Sequence, residues 1–304
     1  MTPARVAIAL AALLCWASSA SGVPIVMNGP TTDWTAISYP LLVPDVYNDE
    51  QTGDTESDIV GNASRPALYM QFDDGGTPLD LTDGNIAFRL RLGAQRNPPG
   101  FSRFAAVGMD ADLDGALDIF IGVDNSGGGD RIEIYNGGGG GNTAPNNTTI
   151  VSVTPPDPLP DPDSLTYPLT YAQTGSNYDW SMTNSTIEPG ESNFDLDADG
   201  NTDYFLSWLV PYNDIVTLLS RSPHNIIINE HWPAQYVAGT STQDDALNQD
   251  LGGPDGETDS GLTWEELGAV SDPVVFAPEP GSLNLLLFGL LGLAVTRAHL
   301  SSHL

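Results

Sequence analysis

The chain has 304 residues and a net charge of −31, from 40 Asp and Glu against nine basic residues, all of them arginine. A polyanion of this density repels phosphate backbones, which excludes nucleic acid as a partner and favours cations instead. Forty per cent hydrophobic residues supply a core, and 32 Gly with 24 Pro fit the many turns of an all-β chain better than helices or disorder.

The first twenty residues have the layout of a secretory signal helix. Arg5 is followed by the apolar stretch from Val6 to Trp16 and by the small residues Ser18, Ser19 and Ala20. The only cysteine, Cys15, lies inside it, so the mature chain would be exported without disulfides. Packing or bound metal would then have to stabilise it.

Alternating apolar residues mark strands at Leu68–Phe72, Ile86–Leu92, Leu117–Val123 and Arg131–Tyr135. At Ile86–Leu92 the alternation places Ala87, Arg89 and Arg91 opposite a single buried face. Further strands are expected at Thr149–Val153, Tyr204–Val210, Asn225–Ile228 and Gln235–Gly239. Short helices are expected at Asp214–Leu219 and Trp264–Leu267. The glycine-rich segment 136–147 lacks the Lys-Ser/Thr ending of a phosphate loop and is expected to be a flexible hairpin loop. Segment 155–163, rich in proline, should be extended. The expected fold is all-β: one antiparallel β-sandwich with long loops over residues 21–277, plus the signal helix and a short transmembrane helix at the C-terminus.

Two nine-residue loops match position for position. One runs DADLDGALD, with Asp110, Asp112, Asp114 and Asp118; the other runs DLDADGNTD, with Asp195, Asp197, Asp199 and Asp203. Alternating carboxylates around a turn-forming glycine supply only oxygen donors, which select a hard cation, Ca²⁺ before any transition metal. The twelfth loop position is Ile121 or Leu206, so the bidentate Glu of an EF-hand is missing. A strand-like segment follows each loop instead. In this the loops resemble the calcium sites of integrin-type propellers and thrombospondin-type repeats, a resemblance confined to the loops.

Catalytic signatures are thin. There is no HExxH spacing, no GxSxG element and no thiol left after maturation. His224 and His231 read as structural residues. Among the tryptophans, Trp208 sits in a strand and reads as core, whereas Trp180 could stack on a sugar or pack inward. Asp33-Trp34, the acidic run from Asp54 to Asp58 and Tyr69–Phe72 resemble, over about fifty residues, family-nine carbohydrate-binding modules. That resemblance implies a sandwich and leaves glycan binding as an alternative function.

The C-terminal segment 278–304 resembles the PEP-CTERM sorting signal of exosortase-processed bacterial proteins. Pro278-Glu279-Pro280 matches the triplet, Leu283–Val295 the largely apolar helix, and Arg297 the basic stop. At about 1.5 Å per residue those thirteen residues span roughly 20 Å, short for a permanent anchor. The resemblance implies transient insertion in the inner membrane of a Gram-negative bacterium, cleavage by an exosortase-type enzyme, and release to the outer surface or extracellular matrix. The mature chain would keep seven arginines against 40 acids, and divalent ions could bridge it to an acidic exopolysaccharide. The expected function is a non-catalytic, calcium-binding matrix or surface protein. A glycan-binding module is the alternative, and a secreted hydrolase ranks last.

Overall fold

The computed structural model describes residues 24–39, 45–76, 82–96, 100–154, 165, 167–229, 231–253 and 258–275. The expected signal helix, the 155–163 segment and the sorting segment with Pro278, Glu279, Pro280 and Arg297 lie outside these residues. Among the described residues no helix is long and apolar enough to cross a membrane.

The described chain is mostly β. In order the strands are β1 (Thr35–Ile37), β2 (Leu68–Asp73), β3 (Asn85–Leu92), β4 (Phe104–Asp110), β5 (Ile119–Asp124), β6 (Arg131–Gly137) and β7 (Ile150–Ser152). They continue as β8 (Thr170–Ala172), β9 (Tyr178–Met182), β10 (Tyr204–Pro211), β11 (Pro233–Ser241), β12 (Asp250–Leu251) and β13 (Val274–Val275). One sheet has the order β1-β2-β3-β10-β9. The other runs β12-β11-β4-β5-β6-β7, with β13 on β11 and β8 on β6. Every pairing is antiparallel. Among the described residues the α-helices are α1 (Tyr212–Leu219) and α2 (Trp264–Leu267). In α1, Tyr212, Ile215, Leu218 and Leu219 recur at helical spacing and are the buried set. In α2, Thr263 and Glu266 form a reciprocal capping box, and Gly268 ends the helix at φ 74°.

The chain contributes to each sheet twice, so the two sheets share one core. Leu68, Met70, Phe88, Leu90 and Trp208 from the first sheet pack with Val107, Met109, Ile121, Ile134 and Tyr236 from the second. The Phe88 and Tyr236 rings meet edge-on at 5.6 Å. The outer face of the second sheet carries another apolar cluster, in which Phe104, Phe120 and Tyr135 lie with Trp264 of α2.

Three expectations need correction. Asn225–Ile228 is not a strand. Ile226 and Ile228 are buried as the alternation implies, but Ile227 is exposed, and the Asn225 and Ile226 N–H groups donate to the Arg221 and Leu219 carbonyls at the end of α1 rather than to a strand. The 136–147 segment is held rather than loose: the Asn142 carbonyl accepts the Trp264 indole N–H at 2.7 Å, and Asn147 Oδ1 accepts the Thr143 and Ala144 backbone N–H groups. The third correction concerns β3, where Arg89 and Arg91 point away from the shared core yet are fully buried.

Residues 27–34 and 187–205 cover that second face of β3. Arg89 donates to the Met27 and Gly29 carbonyls and to Ser207 Oγ, and its guanidinium lies 4.2 Å from the Trp34 ring centroid. Arg91 donates to Asp203 Oδ2 at 2.8 Å and to Glu188, whose other oxygen accepts from Arg65 at 2.5 Å. Buried charge is tolerable here because all three Arg89 nitrogens meet acceptors and Arg91, although its Nε has none, faces two carboxylates.

Candidate metal centre

Both Asp loops enter or leave the sheets where antiparallel pairing fixes their ends. The first joins β4 to β5, whose register sets Met109 opposite Ile119. The second leads into β10. In each loop the ninth residue donates its backbone N–H to the carbonyl of the residue before the loop: Asp118 to Met109 and Asp203 to Phe194, both at 2.8 Å.

The match extends through the interior of the loops. The glycine N–H donates to the first Asp, Gly115 to Asp110 Oδ2 at 2.9 Å and Gly200 to Asp195 Oδ2 at 3.1 Å. The fifth residue donates to the third, Asp114 to Asp112 and Asp199 to Asp197, at 3.3 Å in both. The second residue donates to the last, Ala111 to Asp118 and Leu196 to Asp203. Backbone angles repeat as well. Gly115 and Gly200 have φ of 89° and 92°, and Leu113 and Ala198 have φ of 63° and 58°. A left-handed non-glycine residue costs about 1 kcal/mol or more and persists only where its surroundings impose it. Two loops 85 residues apart thus share one local fold, dictated by the nine residues themselves.

The eight predicted aspartates do not all converge. In the first loop, carboxylate oxygens of Asp110, Asp112 and Asp118 lie within 4.8 Å of one another; in the second, those of Asp195, Asp197 and Asp199 do. Asp114 falls outside its group, with Oδ1 accepting the Ala116 N–H at 2.9 Å. Asp203 falls outside because Arg91 holds it in the buried network under β3. The spacing alone gave no sign of that competitor, which comes from a strand more than a hundred residues earlier.

The donor set suits a hard cation. Each group offers only carboxylate oxygens, and both loops reach the surface through Asp112 and Asp199. In the second loop Asp195 Oδ1 and Asp197 Oδ2 are shielded from water and accept no hydrogen bond. Such orphaned oxygens are costly unless a cation or proton meets them. Burial, and then the neighbouring carboxylate of Asp195, pushes Asp197 up to about 7. Burial pushes Asp110 up to about 6 against the opposing pull of the Gly115 and Leu113 N–H groups. A divalent ion would reverse both shifts by favouring the charged form.

Trp180, the residue proposed for glycan contact, lies in β9 and is half-buried. Its ring stacks on Tyr204 at 4.7 Å and 18°, with Phe101 at 5.4 Å. It also borders an open depression with Tyr178, Asp179, Gln95 and Gln173. His224 Nε2 lies 3.1 Å from Asn136 Oδ1, and its Nδ1 lies 3.8 Å from Asp118 Oδ1.

Sequence reasoning missed a third carboxylate group, formed by Asp49, Asp58 and Asp250. Its only local signal is the run DVYNDEQTGDTESD over residues 45–58, in which six of the fourteen side chains are acidic. Comparisons with protein-family models, curated proteins and solved structures find no match to this chain.

Proposed function

We propose that this chain is a non-catalytic, calcium-binding protein of the outer surface or extracellular matrix of a Gram-negative bacterium, exported by its N-terminal signal and processed at its C-terminal segment by an exosortase-type enzyme. The observation that carries the calcium reading is the repetition of one loop conformation, with four hydrogen bonds and two left-handed residues at matching positions, around two groups of three carboxylates. In this reading the two sheets form one β-sandwich over residues 21–277, and the ions pin the turns before β5 and β10. Structural ions suit a mature domain without disulfides, since a saturated site adds about 2.7 kcal/mol at a hundredfold excess over its Kd. The remaining acidic surface would take part in divalent bridges to an acidic exopolysaccharide.

Glycan recognition has less support. It would use the depression beside Trp180, yet that ring already spends one face on Tyr204. One experiment tests localisation and calcium together. Chain recovered from the matrix of the producing cell is expected to be released by a chelator, and its mass should show both termini removed. An intact C-terminus, or release unaffected by chelation, would contradict the proposal.

A further inference from the structure

The group of Asp49, Asp58 and Asp250 lies outside both nine-residue loops and joins parts of the chain nearly two hundred residues apart. Segment 45–59 is laid against the β12 region by several contacts. The Gln51 N–H donates to the Gln249 carbonyl, the Ile59 N–H to Asp250 Oδ2 at 2.5 Å, and the Gly253 N–H to Asp45 Oδ1 at 2.8 Å. Asp58 and Asp250 are completely buried, and Asp45 and Glu50 almost so.

Asp58 shows what this burial leaves undone. Its Oδ1 accepts the Asn48 N–H at 3.0 Å, but its Oδ2, shielded from solvent, accepts no hydrogen bond. Asp45 Oδ2 is in the same condition. Arg65, the arginine nearest in sequence to this segment, pairs with Glu188 and Glu191, and Arg96 and Arg103 are both drawn to Asp54. The groups that press on Asp58 are themselves acidic: Glu50, Asp197 and Asp49. A Cβ added to Gly93 would sit 2.9 Å from Asp197 Oδ2 and 3.1 Å from Asp58 Oδ2. Two orphaned oxygens therefore lie against the same glycine. Carboxylates are not buried in this way without a counter-charge.

We propose that Asp49, Asp58 and Asp250 bind a third divalent cation, a buried Ca²⁺ that ties segment 45–59 to β12. The donors are all oxygen, which rules against zinc and other metals that prefer nitrogen or sulfur ligands. Burial also disfavours Mg²⁺, which retains most of its waters, whereas Ca²⁺ accepts irregular shells of carboxylates and backbone carbonyls. This site shares no ligand with the two loops, so its occupancy is counted apart from theirs.

The test is the Ca²⁺ stoichiometry of the full chain by native mass spectrometry at saturating ion. Wild type is expected to hold three ions, Asp250→Asn two, and the double variant Asp112→Ala with Asp197→Ala one. A wild-type count of two, falling to zero in the double variant, would show that protons neutralise the buried group and would overturn the proposal. A wild-type count of one, kept in the double variant and lost in Asp250→Asn, would uphold the third site and reject the loops. Should Asp250→Asn not fold, Tb³⁺ gives a readout on wild type. Luminescence lifetimes in H₂O and D₂O should reveal one ion with almost no coordinated water beside two hydrated ones; hydrated ions alone would overturn it.

Discussion

Replacing Arg91 by methionine is expected to lower the unfolding free energy by about 3–5 kcal/mol, read as a reduced urea midpoint at unchanged slope. Arg91 is wholly buried, and its guanidinium is the counter-charge for Asp203 and shares Glu188 with Arg65. Removing it strands the buried Asp203 and leaves Glu188 to Arg65 alone, so the desolvation cost of Asp203 is no longer offset. The same change frees the last aspartate of the second loop and removes the positive charge beside it, so Ca²⁺ affinity at Asp195, Asp197 and Asp199 should rise while the first loop keeps its own. Arg96→Met is the control. Arg96 is half exposed and Asp54 retains Arg103, so its loss should cost no more than about 1 kcal/mol. Equal effects from the two substitutions would contradict the buried network.

The second large effect is on pH dependence after chelation. Burial among like charges pushes Asp110, Asp197 and Asp58 up to about 6, 7 and 8. Unfolded, all three would titrate near 3.8. Between those limits the folded chain holds protons that the unfolded chain has released, so its stability falls as pH rises. The slope is about 1.4 kcal/mol per pH unit for each such group. With respect to these groups, ion-free protein should therefore be most stable below pH 3.8, and should lose several kcal/mol as pH rises through about 6, 7 and 8. Saturating Ca²⁺ favours the charged carboxylates and should flatten the decline. Urea titrations at pH 5, 7 and 9, with and without the ion, check this; identical profiles in both would contradict it.

The sequence made the local features legible and left the long-range ones hidden. Strands β2, β3, β5, β10 and β11 follow from period-two alternation, and α2 from its capping box, because each pattern is complete within a few residues. The Asp loops are legible for the same reason: nine residues set both their backbone and their internal hydrogen bonds. Arg89 and Arg91 looked solvent-facing because alternation identifies two faces without saying what covers the second. Trp34, Glu188 and Phe205, which cover it, come from distant parts of the chain. The ligand choice within each loop was hidden likewise, since Arg91 claims Asp203 from across the sheet. Asn225–Ile228 shows the converse: a correct burial pattern makes no strand when no neighbour offers a free edge. The Asp49–Asp58–Asp250 group could not be read at all, because only the fold brings residue 250 to residues 49 and 58.

The central claim is that the two matched loops bind calcium, and the most direct measurement is a Ca²⁺ titration of chelated protein followed by its melting temperature. At a hundredfold excess over Kd, each occupied site should add about 2.7 kcal/mol. For a chain of this size that is a rise of roughly 5–10 °C per site. The account predicts such a rise in wild type and a much smaller one in the Asp112→Ala, Asp197→Ala double variant. No rise in wild type, or an equal rise in the double variant, would contradict it.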